Sequence, residues 1–166
     1  MENADDDGIT VTMQNSGTAA LGGAGGGLGY AGIANSVAIK FDLYNNNGEG
    51  DDSIGIFQNG ASPNIPSTDL TGTGIDLHNG DTFLVHMTYN GTTLAMTITD
   101  GVTGAVYNKT WTINIPPVLG NKTAYVGFTG GTGRHPTSQK HHTLPFLSNA
   151  PHQHAVQTAP PPPATP

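Results

Sequence analysis

Apolar and polar residues alternate with a period of two through most of the chain as far as Gly133. Val37, Ile39, Phe41 and Leu43 alternate with Ala38, Lys40, Asp42 and Tyr44, which puts an apolar row on one strand face and charge on the other. Phe83, Val85, Met87 and Tyr89 alternate with Leu84, His86 and Thr88, and this run ends at Asn90-Gly91, a pair suited to a type I′ hairpin turn. The return strand covers Thr93–Thr99, with Leu94, Met96 and Ile98 on one face. Gly8–Gln14, Ser53–Gln58, Val106–Ile113 and Ala124–Thr129 complete the set of strand signals. No segment repeats apolar residues at helical spacing, and Pro116-Pro117 breaks the chain before the last strand. Sequential hairpins without a crossover helix predict an all-β, antiparallel sandwich.

Composition agrees, since 24 glycines and 12 prolines in 166 residues favour turns over long helices. Gly22–Gly32 (GGAGGGLGYAG) is a glycine loop whose side chains are Ala24, Leu28, Tyr30 and Ala31 alone. After Gly133 the alternation stops. Five of the seven histidines and eight of the twelve prolines fall there, so the chain divides into a sandwich over 1–133 and a His/Pro-rich tail over 134–166. The tail is expected to be unstructured, with polyproline II near its end. His141, His142, His152 and His154 therefore lack a framework to preorganise a transition-metal site.

The net charge of −7, from 12 acidic and 5 basic residues, excludes a surface built to displace counterions from nucleic acid. No apolar run is long enough for membrane insertion. The N-terminus, MENADDD, has neither the basic nor the apolar region of a signal peptide. A retaining glycosidase would need two carboxylates about 5–5.5 Å apart. The two glutamates, Glu2 and Glu49, lack a facing acidic partner in a strand, and no nucleophile elbow or phosphate loop is present. Catalysis is not expected. Trp111 and Tyr125 read as core residues of their strands. Three sequons, at Asn90, Asn108 and Asn121, matter only in a eukaryotic secretory route.

The stretch VAIKFDLYNNNGEGDDSIGIF crowds Asp42, Asn45, Asn46, Asn47, Glu49, Asp51 and Asp52 between two apolar strands. Clustered carboxylates repel, so such a loop needs a cation or full solvation. Calcium takes roughly six to eight oxygens from carboxylates, amides and main-chain carbonyls. Asp42-x-Tyr44-x-Asn46-x4-Asp51 offers those types, although a solvated Asn/Asp/Gly turn accounts for the same residues. The EF-hand pattern is not matched.

This stretch resembles the metal loop of the L-type (legume-type) lectins, the concanavalin-like jelly-roll sandwiches. Three further matches follow in the family's order. DDGITVTMQN resembles the strand opened by the sugar-binding aspartate, GGGLGYAG the glycine loop, and AYVGFTGGTG the closing strand with its specificity loop. The resemblance covers residues 4–133 and is nearest to bacterial members. It implies a calcium-dependent carbohydrate-binding module that is extracellular or on the cell surface. Asp42 and Asp51 would supply carboxylates to Ca2+, Asn46 its side-chain oxygen and Tyr44 its main-chain carbonyl, with Asp52 as a substitute for Asp51. Asp7, the N–H of Gly26, the amide of Asn46, the ring of Tyr44 and the Gly130-Gly131 loop would meet the sugar.

The departures carry expectations too. The family's second, transition-metal site uses a glutamate where Lys40 stands and a histidine where Ser53 stands, so that site is expected to be absent. Lys40 shares a strand face with Asp42 and would either neutralise it or lie exposed. The family's first and last strands are not matched. That points to a sandwich incomplete at both ends, from a truncated, frame-shifted or divergent sequence, with open edges that favour homo-oligomers. A structural or adhesive module of a surface protein, with the sandwich but no sugar site, is the alternative. The combined presence of Asp7, Gly26 and Asn46 argues against it.

Overall fold

In a computed structural model of the protein, residues 7–131 are described. The strands are β1 (Gly8–Gln14), β2 (Ser36–Asp42), β3 (Ser53–Gln58), β4 (Thr68–Asp69), β5 (Phe83–Tyr89), β6 (Thr93–Asp100), β7 (Val106–Thr112) and β8 (Tyr125–Gly131), with a short helix α1 (Ile115–Leu119) before the last. They form two antiparallel sheets, one ordered β4-β3-β2-β1-β8 and the other β5-β6-β7. The expected antiparallel sandwich is present. The boundary proposed at residue 133, the tail and the missing terminal strands lie outside the described residues.

One core lies between the sheets. Val37, Ile39, Phe41 and Ile54 of the larger sheet meet Leu94, Met96 and Ile98 of the smaller, and Leu70, Ile75, Leu77, Ile113 and Leu119 close the sides. The alternation read in the sequence is the alternation of faces: β6 buries Leu94, Met96 and Ile98 while its intervening residues are only half-buried. β2 departs from this rule. All seven of its residues are buried, including Ser36, Lys40 and Asp42, because the long loops before and after it fold over the face that reads as polar. A second small core of Tyr30, Ile33, Ala38 and Phe57 lies under the glycine loop on that face. There the Tyr30 hydroxyl accepts from Ser36 Oγ and the Gly60 N–H, both at 3.1 Å. On β1 and β8, Thr10 and Thr129 bond through their hydroxyls at 2.8 Å, and Thr129 Oγ1 donates to the Leu28 carbonyl at 2.8 Å.

Local chemistry explains the differences from the sequence reading. Helix α1 forms where a break was expected, because Pro116 and Pro117 occupy its first turn, whose N–H groups have no intrahelical partner, and Gly120 caps it at φ 68°. The β5–β6 turn is shifted by one residue from an Asn90-Gly91 centre: Asn90 N–H bonds to the Thr93 carbonyl, leaving Gly91 and Thr92 in the middle. Asn90 Oδ1 accepts from the N–H groups of Thr92 and Thr93 at 3.0 and 2.8 Å, so the asparagine serves the turn as an acceptor. Trp111 packs on the core as expected, whereas Tyr125 is 49% exposed on β8, the last strand of its sheet among the described residues.

Two expectations follow for stability. Ile98→Ala deletes a fully buried side chain and should lower unfolding free energy by about 2–5 kcal/mol, whereas Leu84→Ser, on the outer face, should stay within about 0.5 kcal/mol in urea titrations. At the β6–β7 turn, Asp100 Oδ1 accepts the N–H groups of Thr103 and Val102 at 2.9 and 2.8 Å. These bonds, that from Thr103 foremost, hold its pKa below the ordinary carboxylate value. A lowered folded pKa contributes stability above the ordinary value that is lost as pH falls through the folded one. Asp100→Asn should therefore flatten the loss of stability below about pH 4 in pH-dependent denaturation curves.

Candidate functional site

The strand register places the predicted residues. Gly131, Gly8, Asp42, Ser53 and Asp69 are paired in one line across the end of the five-stranded sheet. Asp7 precedes that line and Leu43 follows it, joined by a Leu43 N–H to Asp7 carbonyl bond of 2.9 Å. The acidic loop, the glycine loop and the end of β8 therefore leave the sheet side by side.

The glycine loop reaches this edge as a single 3-10 turn, Gly25–Gly27. A methyl group added at Gly26 would lie 2.9 Å from Cγ and Nδ2 of Asn46, so only a glycine lets this backbone approach the asparagine amide. A methyl at Gly131 would lie 2.1 Å from the Gly25 carbonyl, which explains a glycine at the end of β8. The Gly25 Cβ position lies 3.7 Å from Asp7 Oδ2. Asp7, Gly26, Asn46 and Gly130-Gly131, separated by up to 124 positions in sequence, thus come together. Asp7 is 8% exposed, and its Oδ2 is buried without a hydrogen-bond partner among the described residues. Tyr44, beside Asn46, is 56% exposed.

Beneath the acidic loop the electrostatics differ from the calcium expectation. Lys40 is fully buried, and its Nζ donates to Asp42 Oδ2 at 2.8 Å and to the Asn64 carbonyl at 3.0 Å. Glu49 Oε1 is 4.0 Å from the same nitrogen, and Glu49 Oε2 accepts from the Asn47 N–H at 2.6 Å. Burial pushes the Asp42 pKa up, against the pull of Lys40. Asp42 Oδ1 accepts the Tyr44 N–H at 3.2 Å, and the Tyr44 carbonyl accepts the Asn46 N–H at 3.1 Å. Asp51 is exposed. Of the four residues implied for calcium, Asp42 thus has one oxygen on an ammonium and the other on a peptide, and Tyr44's carbonyl is also engaged. A divalent ion bound to Asp42 would sit against a fixed positive charge. As arranged, Asp42, Tyr44, Asn46 and Asp51 do not fit calcium.

A different trio converges nearby. Ligand atoms of Asp52, Asp76 and His78 lie within 4.8 Å of one another, the single such group of three among the described residues. His78 Nε2 is 2.9 Å from the Leu43 carbonyl and Nδ1 is 2.9 Å from Asp52 Oδ1. The carbonyl can only accept, so Nε2 carries a proton. Nδ1 faces an oxygen of Asp52, whose pKa burial raises. A metal on this trio would have to part the His78 nitrogen from the Asp52 oxygen that it now faces. Through the Leu43 carbonyl, His78 also pins the start of the acidic loop. Sequence reasoning missed His78 and Asn64 as parts of this region, and it placed Glu49 in the acidic loop without foreseeing its approach to Lys40. The spacing Asp76-x-His78 was the one available signal, and it is short enough to arise by chance.

Comparison with known proteins follows this geometry. The legume lectin domain model matches residues 2–160. Among solved structures, lectin II from Ulex europaeus superposes with a TM-score of 0.65 at 21% identity, covering 79% of this chain and 59% of that one. The winged bean acidic lectin, solved with methyl-α-D-galactose, gives 0.64 at 22% identity over 81% and 56%. Arcelin-5, a lectin-like defence protein from Phaseolus vulgaris, gives 0.61 at 16% over 78% and 55%. The chain spans less than two thirds of the length of each, and at these identities the likeness is one of fold, the jelly-roll sandwich. The family match over nearly the whole sequence goes further: this chain belongs to the legume lectin domain family, whose members are carbohydrate-binding proteins rather than enzymes.

Proposed function

We propose that the chain binds carbohydrate at the end of the five-stranded sheet, in the cradle formed by Asp7, Gly26, Tyr44, Asn46 and Gly130-Gly131. The observation that carries this reading is Asp7 Oδ2, a buried carboxylate oxygen with no hydrogen-bond partner among the described residues, beside Gly25 and next to the Gly26–Asn46 contact. A buried acceptor is costly unless something donates to it, and two hydroxyls of a sugar are suitable donors. The Gly26 N–H belongs to a turn whose own bonds begin at Gly27 and Leu28, so it is available to a ligand oxygen. Asn46 contributes an amide that both donates and accepts. The exposed Tyr44 ring offers an apolar face to the C–H side of a pyranose.

The Ca2+ implied by the family has a poor donor set in Asp42, Tyr44, Asn46 and Asp51, for the reasons of charge given above. The reading of a sugar site does not depend on it. What supports that reading is the close Gly26–Asn46 approach and the Asp7 main chain, held by the Leu43 N–H beside the Gly8–Asp42 pair.

Glycan-array screening followed by calorimetry tests the proposal. Wild type should bind at least one glycan. Asp7→Asn should weaken that binding by about tenfold or more, a loss of about 1.4 kcal/mol, while leaving the melting temperature near that of wild type. Gly26→Ala should abolish binding by displacing the Asn46 amide, again with the fold retained. A folded chain that binds no glycan, or an Asp7→Asn variant that binds as wild type does, would support a structural or adhesive module instead.

A further inference from the structure

Lys40 is the one buried cation among the described residues. A buried ammonium needs partners, and Lys40 draws them from three segments: Asp42 at the end of β2, Asn64 in the loop after β3, and Glu49 in the acidic loop. The ring of Phe57 lies 5.7 Å from the nitrogen and closes a fourth side. Two carboxylates and a main-chain carbonyl are donor types that a divalent cation also takes. Glu49 makes the case stronger. Its Oε1 is buried without a hydrogen-bond partner among the described residues, and the nearby charge that compensates it is the Lys40 ammonium.

The ammonium is also linked to the candidate sugar contacts. It holds Asp42 Oδ2; Asp42 Oδ1 holds the Tyr44 N–H; the Tyr44 carbonyl holds the Asn46 N–H. Three successive bonds thus run from the buried nitrogen to the asparagine that Gly26 approaches. We infer that the Lys40 ammonium is a built-in cation that takes the part of a metal ion, ordering the Tyr44–Glu49 loop and making glycan binding independent of calcium. Lys40 is in this sense a positioning residue. The clause on glycan binding rests on the sugar-binding reading; the ordering of the loop does not.

The full chain, freed of metal with EDTA and checked by elemental mass spectrometry, tests this directly. Its melting temperature should not change when calcium is added in millimolar excess, and its glycan affinity should be the same within about twofold in EDTA and in calcium. A bound ion at saturating excess would raise the midpoint by roughly 5 °C or more. Such a rise, or loss of binding in EDTA, would overturn the inference. Lys40→Met adds a readout that a merely space-filling residue would not move. In EDTA it should weaken glycan binding by about tenfold or more, and calcium should restore part of it as Asp42 and Glu49 become free to take an ion. A Lys40→Met variant that binds as wild type in EDTA would also overturn the inference. If wild type binds no glycan at all, the sugar-binding reading fails, while the melting comparison still decides whether the loop needs calcium.

Discussion

A positive charge buried beneath a loop of carboxylates is the constraint on which this structure turns. Neither Lys40 nor Asp42 is tolerable alone in a site closed to solvent, because an unpaired buried charge loses its hydration without return. Together they bring in the Asn64 carbonyl and Glu49, so one nitrogen draws on segments on both sides of β3. Such an ion-pair cluster need not add much net stability relative to apolar residues of the same size. Its contribution is to geometry. The carboxylate at the end of β2 can point in only one direction, and the loop that follows starts from that direction.

The second determinant is how closely backbones approach at the sheet end. Side chains at Gly26 and Gly131 would collide with the asparagine amide and the Gly25 carbonyl, respectively. The glycine loop can therefore rest on the end of β8 and touch the acidic loop at once. Tyr30, Phe57 and Ile33 anchor its base in a small apolar core, so the glycines act at the rim of an otherwise ordered segment. Charge at one level and steric permission at another converge on the same few ångströms.

Much of this was legible in the sequence, and the limits have physical causes. Strand signals located β1, β2, β3, β5, β6, β7 and β8, and in β2, β5 and β6 the period of two also reported which side of a sheet is buried. It misread the other side of β2, where Lys40 and Asp42 mark a face covered by loops rather than by water. The grouping of Asp7, Gly26 and Asn46 was legible from motif order, since each motif carries a distinctive residue type. Asn64, His78 and the approach of Glu49 to Lys40 were not, because they depend on contacts between loops that no local pattern encodes. Asn64 takes part through its carbonyl, which every residue possesses. The β5–β6 turn shows the same limit on a smaller scale: Asn-Gly marked the bend, but the asparagine's acceptor role set where it lies.

The double burial of β2 bears on how the molecule moves. One face of this strand is the centre of the main core and the other holds the lysine, so the base of the site has no opening motion of its own. Exchange of the Lys40 and Phe41 amides with solvent would require the sheet itself to come apart, on the timescale of global unfolding. The exposed arc from Tyr44 to Gly48 is tied down chiefly by short local bonds and can open far more often. Within a few residues, the chain passes from a segment buried on both faces to an exposed arc, and a ligand would be met across that boundary.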